Sequence, residues 1–104
     1  MNGDIDSLEL GGKITLIGFR EVEPSKLIVV KKVVGNFAKK LQEKSDKFEN
    51  LSVHIKPVHS SGHEINTKAV INGKVYNTEN TNFNLFFALN SSLSALVTEI
   101  EKDL

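Results

Sequence analysis

Three histidines and a lysine-rich stretch are the residues of this sequence whose types and spacing bear on chemistry. His54 and His59 stand five residues apart with Pro57 between them. In an extended chain that odd spacing points them to opposite faces, about 16 Å apart at roughly 3.3 Å per residue. One metal ion cannot span that gap with bonds of about 2 Å. His59 and His63 flank a Ser-Ser-Gly turn and offer two ligands at most. The chain has no cysteine, so it has no thiolate ligand, thiol nucleophile or disulfide framework. No metal and no cofactor are expected, and the histidines read as surface or RNA-facing residues. Acids are scattered, and nothing brings Ser, His and Asp together. Gly11-Gly12 precedes a strand and opens no helix, so it is not a phosphate loop. Enzymatic activity and a small-molecule substrate are not expected.

The lysines are the stronger candidate. Net charge is zero over 104 residues, but it is unevenly spread. Residues 1–12 carry only acids (Asp4, Asp6, Glu9), and residues 13–47 carry nine Lys or Arg against Glu21, Glu23, Glu43 and Asp46. Screening cuts off distant charge beyond about 8 Å at physiological salt, so a local basic face can bind phosphate in a neutral protein. On a helix, Lys32 and Lys39 point away from the apolar side, Lys31 and Lys40 lie on the flanks, and Lys44 sits at the end. With Arg20 and Lys56 they form the candidate RNA-binding set. A lysine supplies a mobile point charge and releases counterions at each neutralised phosphate. One arginine leaves little capacity for bidentate base reading. Binding of this kind rests on shape and backbone, which suits structured RNA. The other reading of the same lysines is a solvated helix surface.

The rest of the chain must position these residues. At 39% apolar and 25% charged residues, the composition is that of one ordinary globular domain, and it excludes wholesale disorder. No stretch approaches the roughly 18 apolar residues of a membrane span. Residues 1–12 read as a flexible leader with a short strand at Leu8–Leu10, and residues 13–104 as a single α+β domain. The leader is acidic and polar and unlike a secretory signal, so a cytoplasmic location is expected. The Asn50-Leu51-Ser52 and Asn90-Ser91-Ser92 glycosylation patterns would then be idle.

Lys13 to Phe19 alternates as a strand, with Thr15, Ile17 and Phe19 on one side. Glu23-Pro24-Ser25 starts a helix, with Ser25 or a neighbour as cap, that runs to about Lys44; Val30, Val34, Phe37 and Leu41 form its core stripe. Leu51, Val53 and Ile55 alternate in a second strand that Pro57 should end or confine to an edge. Val58 to Gly62 is a turn, and Ile65 to Ile71 a third strand. Asn72-Gly73 favours a tight hairpin with Lys74 to Glu79 returning, so that Ala69 faces Tyr76 and Val70 faces Val75. Asn80 to Phe83 is a connection. Asn84 caps a last helix with Leu85, Leu89, Leu93, Leu96 and Ile100 on one side. The order β-α-β-β-β-α predicts a four-stranded sheet with two helices packed on one face.

The sequence resembles the bacterial ribosome-hibernation factors, or ribosome-associated translation inhibitors. Those proteins end with a hairpin, a polar link, and a helix opening Asp-Met-Tyr-x-Ala-Ile-Asp. The similar stretch here reads Asn84-Leu85-Phe86-Phe87-Ala88-Leu89-Asn90, followed by Leu93, Leu96 and Ile100. Their first strand has the form Ile-x-Ile-x-Gly, which Ile14-Thr15-Leu16-Ile17-Gly18 resembles, and their first helix is Lys-rich, like Ser25 to Lys44. The resemblance implies a fold similar to double-stranded-RNA-binding domains with an extra leading strand. It implies a stress-response factor that binds the small ribosomal subunit where messenger and transfer RNA sit, inhibits translation by occlusion, and catalyses nothing. It places the RNA contacts at Lys31, Lys32, Lys39 and Lys40, in a short form without the dimerising domain of longer members. The family's last helix is also basic. Here Ser91, Ser92, Ser94 and Thr98 occupy its middle, with only Lys102 near the end, so the first helix is expected to carry the electrostatics.

Two alternatives stand beside this reading. A generic double-stranded-RNA-binding module needs cations at the start of its last helix, and Asn82 to Leu89 has none. A protein-interaction domain would use an exposed sheet face bearing Ile17, Phe19, Val70 and Val75.

Overall fold

Alternation of apolar residues along three successive segments builds a sheet with one greasy face, and the two amphipathic helices close over it. The computed structural model describes residues 7–58 and 62–104. In chain order these form β1 (Ser7–Glu9), β2 (Ile14–Ile17), a 3-10 turn (Phe19–Glu21), α1 (Pro24–Lys44), β3 (Phe48–Val58), β4 (Gly62–Ile71), β5 (Lys74–Asn82) and α2 (Leu85–Glu101). The strands lie side by side in sequence order. β2 and β3 are parallel, because the α1 crossover returns the chain to its starting end; the other pairs are antiparallel.

The α+β class and the helix-bearing sheet match the sequence pattern, but the sheet has five strands where four are expected. The extra strand comes from the supposed leader. The chain reverses at Gly11-Gly12, the Leu10 amide donates to the Ile14 carbonyl at 2.8 Å, and Leu8 pairs with Leu16. Leu10 packs half-buried against the core. The short strand expected at Leu8–Leu10 is present, as Ser7–Glu9, but it is an edge strand of the sheet and not part of a separate leader; residues 1–6 lie outside the described residues.

β2 is also shorter than the alternation suggests. It stops before Gly18, whose φ of 84° is the left-handed region that a side chain disfavours. A Cβ there would also come 2.6 Å from the Ile55 carbonyl oxygen. The kink ends the alternation, so Phe19 turns into the core at 2% exposure and does not join an outer face. α1 begins on Pro24 with Glu23 at the cap position and no side-chain cap; Ser25 lies inside the helix. Pro57 is tolerated within β3 because β2 pairs only with Leu51–His54, leaving Pro57 with β4 alone. The turn around residues 59–61 lies outside the described residues.

The core holds Leu16, Leu51, Val53, Ile55, Ile65 and Ala69 from the sheet, Val30, Val34 and Leu41 from α1, and Leu85, Leu89, Leu93, Leu96 and Ile100 from α2. Both helices therefore cover the same sheet face. Phe37 is only half-buried, and Ala38 takes the buried place: both fall near the edge of the stripe, and the smaller side chain fits against the sheet. One polar cluster sits between α2 and the sheet. The Thr67 and Thr78 hydroxyls are 2.6 Å apart, and the Ser92 hydroxyl lies 3.0 Å from that of Thr67. Thr78 also donates to the Ser92 carbonyl at 2.7 Å. These bonds seat α2 on β4 and β5 and offset the cost of burying the Thr67 and Ser92 hydroxyls, with half-buried Thr78 completing the cluster.

Candidate nucleic-acid interface

The two helices run side by side in the same direction. Lys26 near the start of α1 and Leu85 at the start of α2 line one cavity. At the other end, the Lys44 ammonium sits 2.6 Å from the Glu101 carboxylate. The outer surface of this helix layer is where the first-helix lysines lie. Lys32, Lys39 and Lys40 are exposed and Lys31 is half-buried. Their 3.6-residue spacing places Lys32 and Lys39 on the side opposite Val30, Val34 and Leu41.

Charge pairing divides the lysines into two groups. Lys44 is engaged with Glu101, Lys74 with Asp103, and Lys102 with Glu99 at 3.3 Å. Lys31, Lys32, Lys39 and Lys40 make no ion pair with any described residue. The Lys40 ammonium instead stands 5.1 Å from the centre of the Phe37 ring, a cation–π contact. Glu43, one turn beyond Lys39, is exposed on the same helix without pairing to it. The positive charge of α1 is therefore largely uncompensated along its outward side.

The remaining members of the set are not brought to this face. Arg20 is exposed in the turn between β2 and α1, ahead of the helix. Lys56 follows core-facing Ile55 and faces Glu64 across the β3–β4 ladder, on the open side of the sheet, away from the helices. Lys44 is on α1 but committed to α2. The sequence missed this commitment because its partner is Glu101, far along the chain and visible only once the helices lie parallel.

α2 contributes a different chemistry. Outward residues Asn90, Ser91, Ser94 and Thr98 are amides and hydroxyls; the helix itself carries no cation, and Lys102 just beyond it pairs with the exposed Glu99. Asn84 caps the helix as expected, accepting from the Phe87 amide at 3.0 Å. Sequence reading missed the exposure of Phe83 and Phe87, at 73% and 57%. The signal was present for Phe87, which stands two residues from both Leu85 and Leu89 and so on the opposite side of a helix.

His54 faces Ile17 and Asn66 in the sheet, whereas His63 pairs with Pro57 and Asn82, and its Nδ1 lies 3.2 Å from the Phe83 carbonyl oxygen. His59 lies outside the described residues. Among the described residues no three His, Asp or Glu side chains converge on one point. The outer apolar sheet patch does not form as expected. Phe19 is in the core, and Ile17 on β2 is separated by β3 from Val70 on β4, which pairs with Val75 on β5. No described helix is long and apolar enough to cross a membrane. No protein-family model and no curated protein matches the chain.

Proposed function

We propose that this protein is a non-catalytic, ribosome-associated RNA-binding protein that acts on the small ribosomal subunit. It binds structured ribosomal RNA through the outward face of α1 and inhibits translation by occupying the space that messenger and transfer RNA need. The observation that carries this reading is the run of cations on α1 without acidic partners among the described residues. Lys31, Lys32, Lys39 and Lys40 have no ion pair with any described residue, while Lys44, Lys74 and Lys102 all do. Unpaired ammonium groups on one rigid helix keep their full attraction for phosphate, because no carboxylate has to be displaced first. The five-stranded sheet supports that helix from behind, so its lysines hold a fixed spacing. The resemblance of Ile14–Gly18 and Asn84–Asn90 to the translation-inhibitor pattern adds the choice of the ribosome among structured RNAs.

Co-sedimentation with purified small subunits tests the proposal. Binding should weaken steeply with salt, by a slope of roughly −0.7 to −0.9 per phosphate contact in log affinity against log salt. Absence of binding across ionic strengths, or binding insensitive to salt, overturns it.

A further inference from the structure

We infer that the start of α2 is a stacking site for unpaired RNA bases, an inference that rests on the RNA-binding reading above and extends it from phosphates to bases. Phe83 and Phe87 are among the most exposed large apolar residues of the described chain, and they flank the Asn84 cap within one turn. Exposed phenylalanines are costly to leave in water unless something covers them. Their backbone is firmly held. The Asn84 amide donates to the Asn82 side chain at 2.8 Å, the Phe87 amide donates to Asn84 at 3.0 Å, and the Phe83 carbonyl lies 3.2 Å from His63 Nδ1. Two rings are thus presented on a braced support, so little ordering cost remains when a flat partner docks.

The surroundings of Phe87 select the partner. The ring borders an open groove of about 500 Å³ lined also by Asn84, Phe86, Asn90, Ser91 and Ser94. The Asn90 side-chain NH₂ donates to the Phe86 carbonyl at 2.9 Å, which leaves its carbonyl oxygen free to accept. A flat aromatic surface beside amides and hydroxyls matches a nucleobase, which stacks by its face and hydrogen-bonds by its edge. An apolar protein helix would instead meet four polar side chains there. Lys26 lies beside the start of α2 in a cavity that Glu21 and Glu23 also line, and beyond it the α1 lysines that pair with no described acid continue along the neighbouring helix. A strand whose bases reach Phe83 and Phe87 can therefore run its phosphates toward α1, which is charge complementarity of the kind that single-strand binding uses. Bases inside a duplex are already stacked and cannot reach the rings. The site takes loop, bulge or single-stranded nucleotides.

The test is fluorescence anisotropy of the intact protein with a short single-stranded RNA and with a duplex of the same charge. Wild type should prefer the single strand. Phe87→Ala should weaken that binding by about 5- to 150-fold, the usual range for one lost stacking contact, without changing the salt slope. Phe87→Tyr should restore it and Phe87→Leu should not, because Leu keeps the apolar area and loses the π-face. If Phe87→Leu or Phe83→Ala/Phe87→Ala binds single strands like wild type while Lys32→Glu/Lys39→Glu weakens them, the stacking site is wrong and the basic face stands. A stronger affinity for duplex also overturns the stacking site. If wild type binds neither RNA nor ribosome, the underlying RNA reading fails with it.

Discussion

The Lys44 ammonium lies 2.6 Å from the Glu101 carboxylate and ties the last turn of α1 to the last turn of α2. Both side chains remain partly in water, at 31% and 47% exposure, so this pair fixes the relative position of the helices more than it stabilises the fold. A double-mutant cycle with Lys44→Ala and Glu101→Ala should give a coupling of about 0.2–1 kcal/mol in thermal or urea unfolding. The same Lys44→Ala change should leave RNA affinity nearly unaltered, since that cation is already neutralised. A loss of affinity as large as that from Lys39→Ala would put Lys44 back among the phosphate contacts.

The hydroxyl cluster between α2 and the sheet predicts a larger effect. Ser92 is fully buried, and its hydroxyl neighbours those of Thr67 and Thr78. Ser92→Ala removes a partner from buried Thr67 and half-buried Thr78 and should cost about 1–3 kcal/mol in chemical denaturation. Adding Thr67→Val to Ser92→Ala should cost less than the two single changes summed, because the Thr67–Ser92 hydroxyl contact is lost only once. Strict additivity would show that the three hydroxyls act independently.

Core truncation sets the scale for these numbers. Leu89 and Leu93 are fully buried between α2 and the sheet, and replacing either with Ala should cost about 2–5 kcal/mol. Unfolding midpoints in urea, with the slope unchanged, provide the check.

Acid should loosen the hairpin end of α2. The Asp103 carboxylate accepts from the Lys74 ammonium and from the Tyr76 hydroxyl at 2.8 Å. Hydrogen bonds from Lys74, then from Tyr76, hold its pKa below the ordinary 3.8. A carboxylate with a depressed folded pKa contributes stability that is present above 3.8 and is lost as pH falls through the lower folded value. By NMR titration the Asp103 carboxyl should therefore change protonation below 3.8. In Tyr76→Phe the midpoint should move upward. The partners shift the other way: hydrogen bonding to Asp103 raises both Lys74 and Tyr76 above their ordinary 10.5 and 10.0, so the Tyr76 phenol should stay protonated beyond pH 10.0.

Much of the architecture is legible in local residue chemistry. Asn72-Gly73 adopts positive φ at both positions, 53° and 80°, and produces the pairs Ala69–Tyr76 and Val70–Val75 that its turn geometry demands. The Leu85-to-Ile100 stripe and the Asn84 cap appear as the spacing implies. What the sequence hides is non-local. A short strand near Leu8–Leu10 is legible, but that it joins the sheet as β1 is not, because this depends on β2 offering an edge to pair with. Phe19 looks like a continuation of β2, yet the left-handed Gly18 resets which way it points. The same holds at the interface. The lysine stripe of α1 follows from helical spacing, but separating Lys44 from Lys32 and Lys39 depends on Glu101, and placing Lys56 on the other side of the sheet depends on which alternation is inward.

The central claim is that the unpaired cations of α1 hold the ribosome. The direct measurement is equilibrium sedimentation of Lys32→Glu/Lys39→Glu with small subunits, alongside Lys102→Ala and a thermal melt of each variant. Both substituted α1 residues are exposed, so the melts should match wild type. The double reversal should lower ribosome affinity by orders of magnitude, because attraction at two phosphates becomes repulsion, while Lys102→Ala should change it little. A folded Lys32→Glu/Lys39→Glu variant that sediments with the small subunit like wild type would contradict the account.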